Sequence, residues 1–284
     1  MPNTTTQSLL ITPIELAELQ QNDAVTVLDV RWRLDRPDGR PEYLAGHIPG
    51  AVYVDVDTQL AHHGALTDGR HPIPPAEQLQ EAARSWGVRK GRTVVVYDDL
   101  KNLSSARAWW LLSHSGVEDV RVLDGSLRGW TAAGYPLDEG SVEAEPGDIE
   151  LSYDALPVLT IDEAAEFPMR GVLLDVRAGE RYRGEVEPID PRAGHIPGAI
   201  SAPTTDSVDE AGRLRPRAEL RQSFLELGVD PDRPVATYCG SGITAAHAAF
   251  ALTAAGFDPV VYAGSWSQWS NHLDRPIAVG ADPR

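Results

Sequence analysis

Short apolar runs alternate with helical stretches along the chain, and the alternation occurs twice. Val25–Asp29, Thr93–Tyr97 and Val120–Leu123 are rich in Val and Leu and bounded by polar residues, as strands buried on both faces are. Residues 171–175, 234–238 and 259–262 form a second set. Helical stretches lie between them, among them 106–115 and the Ala-rich 244–256, which ends on Gly256. Strands alternating with helices predict α/β domains, each with a mostly parallel sheet flanked by helices.

The two sets are copies. Leu28-Asp29-Val30-Arg31 recurs as Leu174-Asp175-Val176-Arg177, 146 residues on, and Ala45-Gly-His-Ile-Pro-Gly-Ala51 recurs as residues 193–199, 148 residues on. Val96-Tyr97 answers Thr237-Tyr238 at 141, and Gly125-Ser126 through Trp130 answers Gly264-Ser265 through Trp269 at 139. Four matches in one order, with slowly drifting offsets, predict a tandem of globular domains rather than a solenoid. The copies span 10–136 and 155–278. Residues 137–154, acidic and containing Gly and Pro, read as a surface linker.

Charge and cysteine usage narrow the chemistry. With 25 Lys and Arg against 42 Asp and Glu in 284 residues, the net charge is −17, which argues against nucleic acid and anionic membranes as partners. A single cysteine excludes an internal disulfide and a cysteine-rich zinc site. The first residues lack the features of a signal peptide, and no apolar run approaches a membrane span, so a reduced cytoplasmic protein is expected. Glycosylation-type triplets at Asn3 and Asn102 are then chance matches.

The one cysteine stands out by its surroundings. Cys239 follows a strand and opens Cys239-Gly240-Ser241-Gly242-Ile243-Thr244-Ala245, which leads into a helix. The C-terminal end of a parallel strand is where α/β sheets place ligands. The glycines let backbone N–H groups converge, and the helix adds its positive end. Both features favour charge on the sulfur and a nucleophilic role. The bland reading is a buried structural cysteine, which this context disfavours. At the equivalent position the first copy has Asp98, with no thiol and no glycine pair, so that copy should be catalytically silent.

Other conspicuous residues read as structural. His47 and His195 occupy matching places in both copies, including the one without a cysteine. His62 and His63 lie in a stretch of loop composition, and His247 sits inside the helix after the cysteine loop, as a packing or surface residue rather than a base. Trp109, Trp110, Trp130, Trp266 and Trp269 fall at apolar positions of the core.

Together the Cys loop, the paired LDVR and AGHIPGA segments and the silent first copy resemble the tandem-domain rhodanese family of sulfurtransferases, over nearly the whole chain. The resemblance implies two rhodanese-like domains, a persulfide on Cys239 cradled by residues 240–245, and no metal or organic cofactor. The short loop is similar to the sulfur-handling version rather than to the longer loop of related phosphatases and arsenate reductases. The reading Cys-Gly-Ser-Gly-Ile-Thr-Ala looks like 3-mercaptopyruvate sulfurtransferases, whereas thiosulfate-specific members more often carry Arg and Lys where Gly240 and Ser241 stand. Thiosulfate is a dianion that such cations suit; an uncharged loop leaves the carboxylate of an α-keto acid to be held elsewhere.

In mercaptopyruvate enzymes two arginines after the second LDVR-like strand do this. Arg181 matches the first; nine residues on, where the second is usual, stands Asp190, with Arg192, Arg183 and Arg177 nearby. Arg183 and Arg192 are the alternative candidates. The resemblance also implies a Ser–His–Asp group of Ser241, His71 and Asp57, with Val54–Asp57 as a strand end, acting as a proton carrier. The alternative is that His71 and Asp57 only fix the loop at the domain boundary. The expected activity is sulfur transfer from 3-mercaptopyruvate through Cys239 to a thiol, cyanide or thioredoxin-like acceptor. Its rival is thiosulfate:cyanide transfer by the same persulfide, favoured if Arg183 or Arg192 points at the loop. Phosphatase or arsenate reductase chemistry and a non-enzymatic interaction module are weaker readings, and hydrolysis lacks the Gly-x-Ser-x-Gly elbow.

Overall fold

The computed structural model describes residues 9–283; the Asn3 triplet lies outside them. The chain forms two compact units that are not sequential: unit 1 takes in 74–156 and 210–213 besides the residues up to Leu60, and unit 2 takes in 61–73, 157–209 and 214 onward.

Unit 1 runs β1 (Leu10–Ile11), α1 (Pro13–Gln21), β2 (Val25–Asp29), α2 (Arg40–Ala45), β3 (Val52–Tyr53), α3 (Val56–Gln59), α4 (Ala76–Ser85), β4 (Thr93–Tyr97), α5 (Ser105–Ser113), β5 (Val120–Leu123) and α6 (Ser126–Ala132). Its five strands lie in the order β1-β5-β4-β2-β3, all parallel. The central strands are continuous apolar runs because both their faces are covered; every residue of β2 is buried. The core gathers Ile11, Leu16, Val27, Ile48, Val95 and Trp130.

Unit 2 runs α7 (Ile161–Glu166), β6 (Val172–Asp175), α8 (Gly179–Tyr182), β7 (Ile200–Ser201), α9 (Arg217–Glu226), β8 (Val235–Tyr238), α10 (Ile243–Ala255), β9 (Pro259–Val261) and α11 (Ser265–Asn271). Its parallel order β7-β6-β8-β9 repeats that of unit 1, and a single bridge from Val158 to Val261 stands where β1 pairs in unit 1. Phe167, Leu173, Ile196, Trp266 and Trp269 pack in its core. Helix α10 is apolar nearly all round because it is buried nearly all round; its alanines allow that close packing, and Gly256 ends it at φ 87°.

The repeated segments are the joints of each unit. Arg31 grips Asp29 and donates to the Gly46 carbonyl at 2.5 Å; Arg177 grips Asp175 and donates to the Gly194 carbonyl at 2.6 Å. Each LDVR strand end is thereby tied to its AGHIPGA turn by an arginine that a buried ion pair holds in place. His47 and His195 stack on Tyr43 and Tyr182 and bond their carbonyls through Nδ1, the structural role expected of them. One expectation is corrected here: Asp57 is not at a strand end, because β3 stops at Tyr53 and Asp55 caps α3, in whose first turn Asp57 lies.

Candidate active site

Cys239 stands one residue beyond β8, where the sheet's C-terminal edge opens. Its own N–H donates to Ser265 Oγ at 3.1 Å, and Ser265 Oγ donates to the Tyr262 carbonyl at 2.9 Å. The Cys239 carbonyl accepts from Trp266 N–H at 2.9 Å and that of Gly240 from Ser267 N–H at 2.8 Å. The first turn of α11 therefore clamps the start of the loop. Ser265 adopts φ 54° to do so, a left-handed conformation costly for a serine and sustained by these bonds. Gly242, at φ 86°, turns the chain into α10 and donates its N–H to Cys239 Sγ at 3.1 Å. The sulfur is buried, with a backbone donor on it and a 13-residue helix beginning just beyond.

Unit 1 reveals what such a turn does to an anion. The Asp98 carboxylate, fully buried, accepts N–H bonds from Leu100 (2.7 Å), Asn102 (2.8 Å), Ser104 (2.9 Å) and Ser105 (3.0 Å), and a hydroxyl bond from Ser104. Lys101 and Asn102 take positive φ in this turn, which brings the Asn102 N–H onto the carboxylate. Burial pushes the Asp98 carboxyl above the usual range against the pull of these donors.

Two guanidinium groups flank the cysteine loop. A Cβ placed on Gly240 would lie 3.1 Å from Arg70 Nη2 and 3.4 Å from Arg181 Nη1. Arg181, on α8, is held by Glu187 at 2.7 Å and by Asp190 at 3.3 Å, both through Nη2. Arg70 is ion-paired to Asp190 through Nη1. Its backbone N–H donates at 3.0 Å to Ser267 Oγ, on the same serine whose N–H holds the Gly240 carbonyl. The preceding residue must be glycine: Gly69 is at φ 91°, and a Cβ there would meet the Gly264 carbonyl at 2.9 Å. Burial raises the Asp190 carboxyl above its usual range, opposed by Arg70 and Arg181.

The remaining expected residues divide. Ser241 is buried in the loop, and His71 is buried in the 61–73 segment of the same unit. Asp57 belongs to unit 1, where it accepts from Trp32 Nε1 at 3.0 Å. The guanidinium groups of Arg192 and Arg183 are engaged by other partners. Arg192 donates to the carbonyls of Trp269, Ser270, His272 and Arg275, at 2.6–3.0 Å, because it caps the carbonyl end of α11. Arg183 forms a two-pronged pair with Glu185 at 2.7 and 2.8 Å on the surface. His247 is fully buried and bonded to Thr204 Oγ1 at 2.7 Å; burial brings its imidazole down to about 4.

Sequence reasoning did not single out Arg70, Glu187, Ser265 and Ser267. The repeated Gly-Ser of 125–126 and 264–265 was the signal for Ser265; nothing local marks Arg70.

The rhodanese-like domain matches residues 12–133 and 160–272. A Pseudomonas aeruginosa protein provisionally named a 3-mercaptopyruvate sulfurtransferase is 45% identical, with 95% of this chain and 98% of the relative covered. A Mycobacterium tuberculosis protein provisionally named a thiosulfate sulfurtransferase, SseB, is 43% identical, with 96% and 97% covered. The crystal structure of SseA from Escherichia coli, described as a rhodanese fold acting on 3-mercaptopyruvate, superposes with a TM-score of 0.81 at 32% identity, covering 92% of this chain and 99% of that one. Among the described residues no helix is long and apolar enough to cross a membrane.

Proposed function

The chain belongs to the rhodanese family and is a sulfurtransferase, and on that premise we propose that it moves the sulfur of 3-mercaptopyruvate through a Cys239 persulfide to a thiol, cyanide or thioredoxin-like acceptor in the cytoplasm. The observation that carries the reading is the Gly242 N–H on the Cys239 sulfur beside the Arg181 guanidinium, in a loop that is itself uncharged.

In the first half-reaction the Cys239 thiolate attacks the thiol sulfur of the donor, whose carboxylate Arg181 holds. The C–S bond breaks, its electron pair passes to the enolate of pyruvate, and the proton of the donor thiol is made good at the methylene carbon. The charge left on the outer sulfur of Cys239 is met by the backbone donors of residues 240–245, as Asp98 is met in the silent copy. Ser241 and His71 are the candidate proton carriers. In the second half-reaction the acceptor thiolate or cyanide attacks the outer sulfur, the S–S bond breaks, and the Cys239 thiolate returns. Covalent storage makes the kinetics ping-pong.

Thiosulfate is the second reading. What favours it is the pair of guanidinium groups beside Gly240, which bring anion-binding N–H donors to a loop without a cation of its own, and the similarity to SseB. Steady-state turnover with both donors tests the choice. A kcat/KM for 3-mercaptopyruvate at least tenfold above that for thiosulfate, about 1.4 kcal/mol of differential transition-state binding, supports it. The opposite order overturns it.

A further inference from the structure

We propose that Arg70, supplied by the 61–73 segment, is the second substrate-binding cation of this site, and that Asp190 is the residue that positions it. The inference rests on the donor reading above and adds to it the residue that recognises the α-keto acid. In the family pattern an arginine stands nine residues after Arg181; here Asp190 occupies that place and pairs with Arg70 instead. The positive charge has moved to the other side of an ion pair rather than vanished.

The geometry divides the nitrogens of both arginines. Asp190 takes Arg70 through Nη1 and Arg181 through Nη2. The opposite nitrogens, Arg70 Nη2 and Arg181 Nη1, are the ones nearest the Cβ direction of Gly240. Thiosulfate-specific members more often carry an arginine at this position; here two guanidinium groups from elsewhere lie along its direction, and a side chain on residue 240 would have to push them aside. Arg70 Nε is also buried without a hydrogen-bond partner, a donor whose desolvation goes uncompensated until an acceptor arrives. Its backbone is fixed through Ser267 to the carbonyl of Gly240, so the guanidinium is registered on the loop rather than reaching in from solvent.

Charge then sets the class of donor. The cations Arg70 and Arg181 are offset by Asp190 and Glu187, so the site offers directed N–H donors with little net charge. Such a site suits one planar monoanionic carboxylate beside a carbonyl better than a compact dianion.

The test is steady-state kinetics with 3-mercaptopyruvate on the full chain, for wild type, Arg70→Ala, Arg70→Lys, Asp190→Ala and the exchanged pair Arg70→Asp with Asp190→Arg. Arg70→Ala is expected to raise KM about 10- to 100-fold with a smaller change in kcat, the loss of one charged hydrogen bond. Arg70→Lys should fall between it and wild type. Asp190→Ala should raise KM by less than Arg70→Ala. The exchanged pair should recover KM to within about fivefold of wild type, a rescue that damage to folding would not produce. A KM within twofold of wild type in folded Arg70→Ala overturns the assignment of Arg70 and leaves the donor reading standing. Wild type that turns over thiosulfate but not 3-mercaptopyruvate overturns the donor reading, and this inference with it.

Discussion

Asp98 and Cys239 directly follow the equivalent strands β4 and β8, and each has its carbonyl held at 2.9 Å by an N–H of the second helix on, Leu127 for Asp98 and Trp266 for Cys239. The backbone frame is common; the side chain and the turn after it differ. In unit 1 the turn has closed on a carboxylate that takes four backbone N–H groups, and in unit 2 it places the Gly242 N–H on a sulfur. The turn of unit 1 is thus a cradle already filled by its own side chain.

Replacing Asp98 tests that description. Asp98→Ala leaves four buried N–H groups without their acceptor and is expected to destabilise the protein by about 3 kcal/mol or more. Turnover per folded molecule should stay at the wild-type value. Denaturant unfolding and kcat on one preparation check it; a drop in kcat with unchanged stability would place Asp98 in the chemistry instead.

Gly242 carries two demands at once, a left-handed φ of 86° and an N–H aimed at the cysteine sulfur. Gly242→Ala should cost about 1–2 kcal/mol in stability. It should also lower kcat by about 100-fold, as displacement of a charge-stabilising donor does. A stability loss with unchanged kcat would show that this N–H does not serve the sulfur.

Arg181 and Arg192 separate binding from capping. Arg181→Ala should raise KM for 3-mercaptopyruvate about 10- to 100-fold. Arg192→Ala should leave KM alone and lower stability by about 1–3 kcal/mol, since it strands the carbonyls at the end of α11. Reversal of the two outcomes in kinetics and thermal unfolding would restore Arg192 to the site.

Buried His247 gives the fold an acid branch. Burial lowers its imidazole from 6.5 to about 4, so the unfolded chain takes up this proton at a higher pH than the folded chain. The stabilising contribution is full above pH 6.5, the unfolded value, and is lost as pH falls through the folded value near 4. It amounts to about 3 kcal/mol. His247→Gln, which keeps a partner for Thr204, should flatten unfolding free energy across that window by about this amount. Parallel curves for the two proteins would contradict it.

The strands, the repeat and the cysteine loop were legible because each is contiguous. A strand buried on both faces writes an unbroken apolar run, and the loop writes its glycines beside its cysteine. The two-residue edge strands β3 and β7 are too short to leave such a run. The partners of Arg192 were not legible because the sequence says that a cation is nearby and not which carbonyls it bonds. Arg70 stayed hidden because its place depends on 61–73 joining unit 2, a packing event with no local pattern, and on an acid more than a hundred residues away.

The most direct measurement is intact-protein mass spectrometry of wild type and Cys239→Ser after mixing with 3-mercaptopyruvate in the absence of an acceptor. The expected result is a gain of one sulfur atom by wild type, reversed by cyanide, and none by Cys239→Ser. No gain by wild type, with pyruvate still released, or an equal gain by Cys239→Ser, would contradict sulfur transfer through Cys239.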